Sequence, residues 1–182
     1  GIDRAESYYF LVDADGTLGG FNSNRGEQRY GWTQFTSQGS FHSICTVDTR
    51  VYAVVKFDKG DGTNKYILCE FDTSFNTDMA KTYSGSNGVF SVSADFANGA
   101  VLDVVSGTHY LGQFTVASGN IDVSAVDNSI SSAEIGFKFD VTLTTNPIDT
   151  ATQQGVLSGE PRSLNKVIVD LSNTLSCSVN NK

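Results

Sequence analysis

Histidine is scarce in this chain: His42 and His109 are the only two in 182 residues. Any imidazole-based catalysis must use one of them. No Gly-x-Ser-x-Gly elbow is present to present a nucleophilic serine beside either. Basic residues are also few, 12 Lys and Arg against 20 Asp and Glu, and they form no cluster. A net charge of −8 without a basic patch excludes tight binding to a phosphate backbone. Long hydrophobic runs are missing too. The longest, such as Val51 to Val55, fall far short of the roughly 20 residues a membrane-crossing helix needs, and no leader-like segment opens the chain. Two prolines and one methionine complete the deficits.

What is present is apolar alternation broken by Gly, Ser, Thr, Asn and Asp. Charged residues are only 18% and hydrophobic residues 39%, a balance that suits short strands joined by tight turns. The chain is long enough to bury a core without disulfides or metal. Cys45, Cys69 and Cys177 are odd in number, far apart and set in apolar strand-like surroundings, so they read as small buried hydrophobes with free thiols. The opening Gly1-Ile2-Asp3 and the ending Asn180-Asn181-Lys182, directly after a strand-like run, lead to the expectation of a piece of a longer chain.

The expected fold is all-β: an antiparallel meander over residues 1–72, a connection over 73–88, and a second β-rich, sandwich-like unit over 89–182. Strands are predicted at Tyr8 to Val12, Thr17 to Phe21, Arg29 to Thr36, Phe41 to Val47, Val51 to Phe57 and Lys65 to Phe71. In the second unit they are predicted at Phe90 to Phe96, Val101 to Val105, Tyr110 to Val116, Ile121 to Val123 and Glu134 to Leu143. Residues 146–161 read as an exposed loop, and Lys166 to Leu171 with Leu175 to Val179 as a closing hairpin. The turns have a mechanism, because Asp-Gly and Asn-rich pairs supply the positive φ that tight hairpins require.

The residues able to carry chemistry read as structural. His42 and His109 are expected at a surface or interface. Glu70 and Glu134 occupy ordinary polar slots of alternating strands rather than the opposed pair a glycosidase needs. Asp13 to Gly16 and Asp58 to Gly62 resemble the start of calcium loops, but the twelfth residues are Asn24 and Cys69 instead of a bidentate Glu, so hairpin turns are favoured. Tyr8, Tyr9, Tyr30, Trp32, Tyr52, Tyr66, Tyr83 and Tyr110 could stack on a sugar, yet Trp32 in an alternating strand reads first as core packing, then as a subunit contact. No catalytic, cofactor or metal site is expected.

The order of segments carries a resemblance. Phe10-Leu11-Val12-Asp13-Ala14-Asp15-Gly16-Thr17-Leu18, the run from Gln28 to Phe41 containing Tyr30-Gly31-Trp32, Val51 to Val55, and Lys65 to Asp72 resemble the tail tubular B, or nozzle, proteins of short-tailed phages. Val101 to Gly107, Gly112 and Gly119, Ile135-Gly136-Phe137 through Pro147, and Leu164 to Leu171 extend it over most of the chain. The resemblance implies propeller-like blades with inserted β-domains and a ring of copies beside the portal adaptor and fibres. It also implies a virion-tail location, DNA passing through the conduit without specific binding, and no enzymatic activity. The alternative is a carbohydrate- or receptor-binding β-sandwich of a fibre or secreted protein. Independently of either reading, mass measurement under non-reducing conditions should return three free thiols. A loss of two protons would contradict the reading of the cysteines.

Overall fold

The computed structural model describes residues 7–24, 29–59, 62–138, 140–142, 151–152, 155–156, 168–171 and 174. Every regular element among them is a β-strand, and the chain is all-β. Residues Gly1–Phe139 form one compact unit and Asp140–Lys182 a second.

The first unit begins with two three-stranded antiparallel meanders. In the first, β1 (Ser7–Val12) pairs with β2 (Leu18–Asn24), which pairs with β3 (Arg29–Phe35). The turn between β1 and β2 closes because Asp15 Oδ1 accepts from the amide and hydroxyl of Thr17, at 2.8 and 2.7 Å, while Gly16 takes φ 85°. The second meander joins β4 (Ser40–Val47), β5 (Arg50–Asp58) and β6 (Asn64–Glu70). Alternation then decides the packing. Phe10, Val12, Leu18 and Phe35 face Phe41, Ala53 and Val55 of the other meander, and the two sheets form a small sandwich. Leu18 is completely buried there, a burial that contributes about 1.5–3 kcal/mol.

The rest of the unit is built from β7 (Asp78–Ser84), β8 (Val89–Ser91), β9 (Val101–Ser106), β10 (His109–Thr115), β11 (Asn120–Asp122) and β12 (Ser132–Phe137). A four-stranded sheet runs β10-β9-β12-β7, and β8 pairs with β11. Its core contains Phe90, Val92, Leu102, Val104, Ile121 and Ile135, and also Phe57 of β5. The boundary expected over 73–88 therefore falls inside one unit, and that stretch carries a strand of its own. The physical reasons are two: Phe57 and Ile67 pack into the second core, and the exposed Lys81 interrupts the apolar row of Met79 and Tyr83 that would have revealed β7. Within the expected loop 146–161, β13 (Ala151–Thr152) pairs with β14 (Gly155–Val156). Of the expected closing hairpin only Ile168, Val169, Asp170, Leu171 and Thr174 are described, with no strand assigned; the remainder lies outside the described residues.

An internal repeat, not apparent from strand alternation, organises the second core. Ser86-Asn87-Gly88-Val89-Phe90-Ser91-Val92-Ser93-Ala94 corresponds to Ala117-Ser118-Gly119-Asn120-Ile121-Asp122-Val123-Ser124-Ala125. The copies make the same bonds. A bridge joins Ser86 to Val89 and another joins Ala117 to Asn120. Val92 N–H donates to Gly119 C=O at 2.9 Å, and Val123 N–H donates to Gly88 C=O at 2.8 Å. The two segments are thus related by a local pseudo-twofold, with Phe90 and Val92 opposite Ile121 and Val123.

Gly88 and Gly119 are obligatory in this arrangement. Their φ values are 73° and 77°, and a Cβ on Gly88 would lie 2.9 Å from Ser124 Cα, while one on Gly119 would lie 2.8 Å from Ser93 Cβ. Gly88→Ala should lower stability by about 1–3 kcal/mol. Gly62→Ala, at φ 79° but facing open space, should lose only about 1 kcal/mol. Urea midpoints of the two variants check the ordering.

Candidate functional site

The sequence candidates do not converge. His42 is the extra residue of a bulge where β4 pairs with β5, and its ring lies edge-on to Tyr66 with centroids 5.3 Å apart on the outer face of the second meander. His109 opens β10 and is exposed. Glu70 faces Arg50 at 3.3 Å. Glu134 accepts from the Asn76 amide at 2.7 Å and the Thr77 hydroxyl at 2.8 Å, so it fixes the chain entering β7. The Asp13 to Gly16 segment is a hydrogen-bonded turn. Of the second loop, residues 60–61 lie outside the described set. Among the described residues no group of His, Cys, Asp and Glu is gathered to hold a metal ion, and no helix is long and apolar enough to cross a membrane.

The sequence expectation that Trp32 packs in the core is overturned: it is 68% exposed. Register explains this. Tyr9, Phe21 and Trp32 are cross-strand partners, one position out of phase with the inward row of Phe10, Val12, Leu18 and Phe35. They form a ladder on the outer face of the first meander, with ring centroids 6.3 and 5.0 Å apart. Leu11 and Tyr30 extend it, both largely exposed. Gly19, opposite Gln34 in the same row, lies beside the ring of Trp32, 3.6 Å from where a Cβ would stand.

A second apolar face lies on the opposite side of the sandwich. The inward row of β5 is Ala53, Val55 and Phe57, so Tyr52, Val54 and Lys56 point outward beside Glu70, Leu68 and Tyr66 of β6. Tyr66 is 61% and Leu68 68% exposed. Cys45, expected to be buried, pairs with Tyr52 and is also exposed on this face. Cys177 lies outside the described residues.

The third feature is a groove of about 630 Å³ between β6 and β7. Its floor includes Val55, Phe57 and Phe96, and its walls carry Ile67 and Cys69 on one side and Met79 and Tyr83 on the other. At one end Asp78 accepts from the Ser37 hydroxyl at 2.9 Å and the Gln38 amide at 3.0 Å. At the other, Asp95 Oδ2 accepts from Lys81 Nζ at 2.9 Å and the Tyr83 hydroxyl at 2.7 Å. Burial pushes the Tyr83 phenol up, reinforced by the hydrogen bond and charge of Asp95. Burial works to raise the Asp95 carboxyl, but the hydrogen bonds from Tyr83 and Lys81 and the charges of Lys81 and Lys65 outweigh it and hold the group below its usual range. Burial raises the Cys69 thiol, with the Asp78 charge acting the same way. A thiol held protonated is a poor nucleophile.

No protein-family model, curated protein or solved structure matches the chain.

The Lys81–Asp95–Tyr83 cluster gives stability two pH limits. Asp95 has a depressed folded pKa, so its contribution is present above the ordinary carboxylate pKa of about 3.9 and is lost as pH falls through the folded value. Tyr83 has a raised folded pKa, so its contribution is complete below the ordinary phenol pKa of about 10 and is lost as pH rises toward the folded value. Urea midpoints across the pH range should show both limbs. Asp95→Asn should make the acid limb shallower, and Tyr83→Phe should do so for the alkaline limb.

Proposed function

We propose that the chain is a non-enzymatic structural module of a virion tail: part of a short-tailed phage nozzle whose copies meet in a ring around the DNA-ejection conduit, with blade-like meanders as the assembly unit. The observation that carries this reading is the pair of outward faces with exposed large apolar side chains on opposite sides of one sandwich, the Tyr9–Phe21–Trp32 ladder on one meander and Tyr66 and Leu68 on the other. A monomer gains nothing from leaving such faces in water, and contiguous exposed apolar patches mark interaction sites. Two unlike faces pointing apart are what a head-to-tail contact requires, and head-to-tail contacts close into rings when the rotation per subunit permits.

Size sets the strength. An aromatic side chain buries about 150–250 Å², so each face offers several hundred Å². That is below the roughly 800 Å² per partner of a stable contact. Copies of this chain alone should therefore associate weakly, with the ring held by neighbouring parts of the tail, including the portal adaptor and fibres. A charge of −8 fits a passage from which DNA must slide, because like charge repels the phosphate backbone.

The carbohydrate-binding reading draws on the same ladder, since Trp32 is largely exposed. The two readings part on geometry. A glycan platform needs one face, whereas the ring needs both.

Sedimentation velocity tests this. The coefficient of the unaltered chain should rise with concentration, and Trp32→Ser or Leu68→Ser should each abolish the rise. An equimolar mixture of the two variants should form a 1:1 dimer and nothing larger, because it retains one intact face of each kind. Unchanged association in both variants, or retention of glycans by the unaltered chain but not by Trp32→Ser on an array, would overturn the ring reading.

A further inference from the structure

We propose that the groove between β6 and β7 binds a small amphipathic organic cation, its apolar body on the floor and its ammonium head at the end marked by Asp72 and Asp78. The site is separate from the two outer faces and goes beyond the ring reading.

Size and dryness come first. Every residue lining the groove belongs to the first unit, and its volume of about 630 Å³ lies within the roughly 300–1,000 Å³ of small-molecule sites. Val55, Phe57 and Phe96 on the floor are almost completely buried, so the floor offers apolar surface alone.

Charge then gives the groove a direction. Five charged side chains line it: Glu70, Asp72, Asp78, Lys81 and Asp95. Lys81 and Asp95 are engaged with each other at 2.9 Å, and Arg50 neutralises Glu70 at 3.3 Å. Lys65 adds a further positive charge beside Asp95, its ammonium donating to the Ala94 carbonyl at 3.2 Å. Asp72 and Asp78 make no ion pair among the described residues. The Ser74 amide and hydroxyl hold the Asp72 carboxyl below its usual range, with the Arg50 charge a lesser influence. Asp78 receives both Ser37 and Gln38 on Oδ2, and its Oδ1 accepts no bond among the described residues. Negative charge is therefore left over at one end and none at the other.

Aromatic rings gather at the same end. Phe35 lies two residues before the Ser37 that donates to Asp78, and Phe71 directly precedes Asp72. The Phe71 ring meets Phe35 edge-on at 5.8 Å and Phe41 at 6.4 Å, and all three line the groove. Carboxylates beside aromatic faces suit an alkylammonium head. A fatty acid carries the wrong sign for this end, and at the other the Lys81 ammonium is already taken by Asp95. A neutral ligand gains the floor alone.

Calorimetry of the full chain with decyltrimethylammonium, kept below its micelle concentration, tests the site. One saturable site per chain is expected, and decanoate should bind at least about tenfold more weakly. Asp72→Asn and Asp78→Asn should each weaken binding about fivefold, since each keeps an acceptor oxygen for its present donors and loses only the charge. The Cys69 thiol lines the groove and reports the location. In the chain carrying Cys45→Ser and Cys177→Ser, saturating decyltrimethylammonium should slow alkylation of Cys69 by iodoacetamide, and adding Trp32→Ser should leave binding unchanged. Five results would overturn the proposal: no saturable binding, the outcome if a segment of this chain or of a second copy fills the groove; equal binding of decanoate; no loss in either Asn variant; no protection of Cys69; or binding lost with Trp32→Ser. None of them bears on the ring reading, which sedimentation decides separately.

Discussion

The inward row of β5 is the constraint on which the larger unit depends. Ala53, Val55 and Phe57 are successive same-side residues of one strand, each almost completely buried, and they do not serve the same core. Ala53 and Val55 close the sandwich of the two meanders. Phe57 continues past it, meeting Phe96 edge-on at 6.5 Å and Phe137 at 5.6 Å in the core of the four-stranded sheet. A strand that buries one side against two partners holds both in place. The groove beside β6 and β7 lies at this junction, because the sheets share Phe57 without merging their edges.

The second core owes its form to a repeated segment. Two copies of a glycine turn followed by a short strand exchange reciprocal backbone bonds, and each glycine rests against a serine of the other copy, Gly88 against Ser124 and Gly119 against Ser93. Neither copy can bury its apolar residues alone. Together they place Phe90, Val92, Ile121 and Val123 out of water, over the sheet that supplies Leu102, Val104 and Ile135. The signal was available in the sequence as two aligned segments, but each strand has only three residues, too few for alternation to register against the turns around it.

The surface carries apolar side chains that neither core uses. Its sandwich exposes large apolar side chains on the outer side of each sheet, among Lys56 and Glu70 on the second, and edge strands flank an apolar groove without a described partner. Each feature leaves apolar surface uncovered among the described residues. The polar groups elsewhere are already engaged: Glu134 with Asn76 and Thr77, Asp95 with Lys81 and Tyr83, Asp103 with Tyr110. They fix strands and hold the groove's rim.

Strand positions through the first 72 residues and from Val101 to Phe114 could be read from the sequence, because half-buried strands leave a period of two and their turns need Gly, Asn or Asp. The all-β class followed from the same pattern. Which side faced inward could not be read. Tyr9, Phe21 and Trp32 alternate as regularly as Phe10, Val12 and Phe35, and periodicity distinguishes two sides of a strand without saying which is covered. Only the stacking of one meander on the other sent Leu18 inward and Trp32 into water. The groove was hidden for a related reason: it exists because β6 and β7, close in sequence, end in different sheets. Local alternation determined where this chain is extended, and long-range packing decided what it leaves exposed.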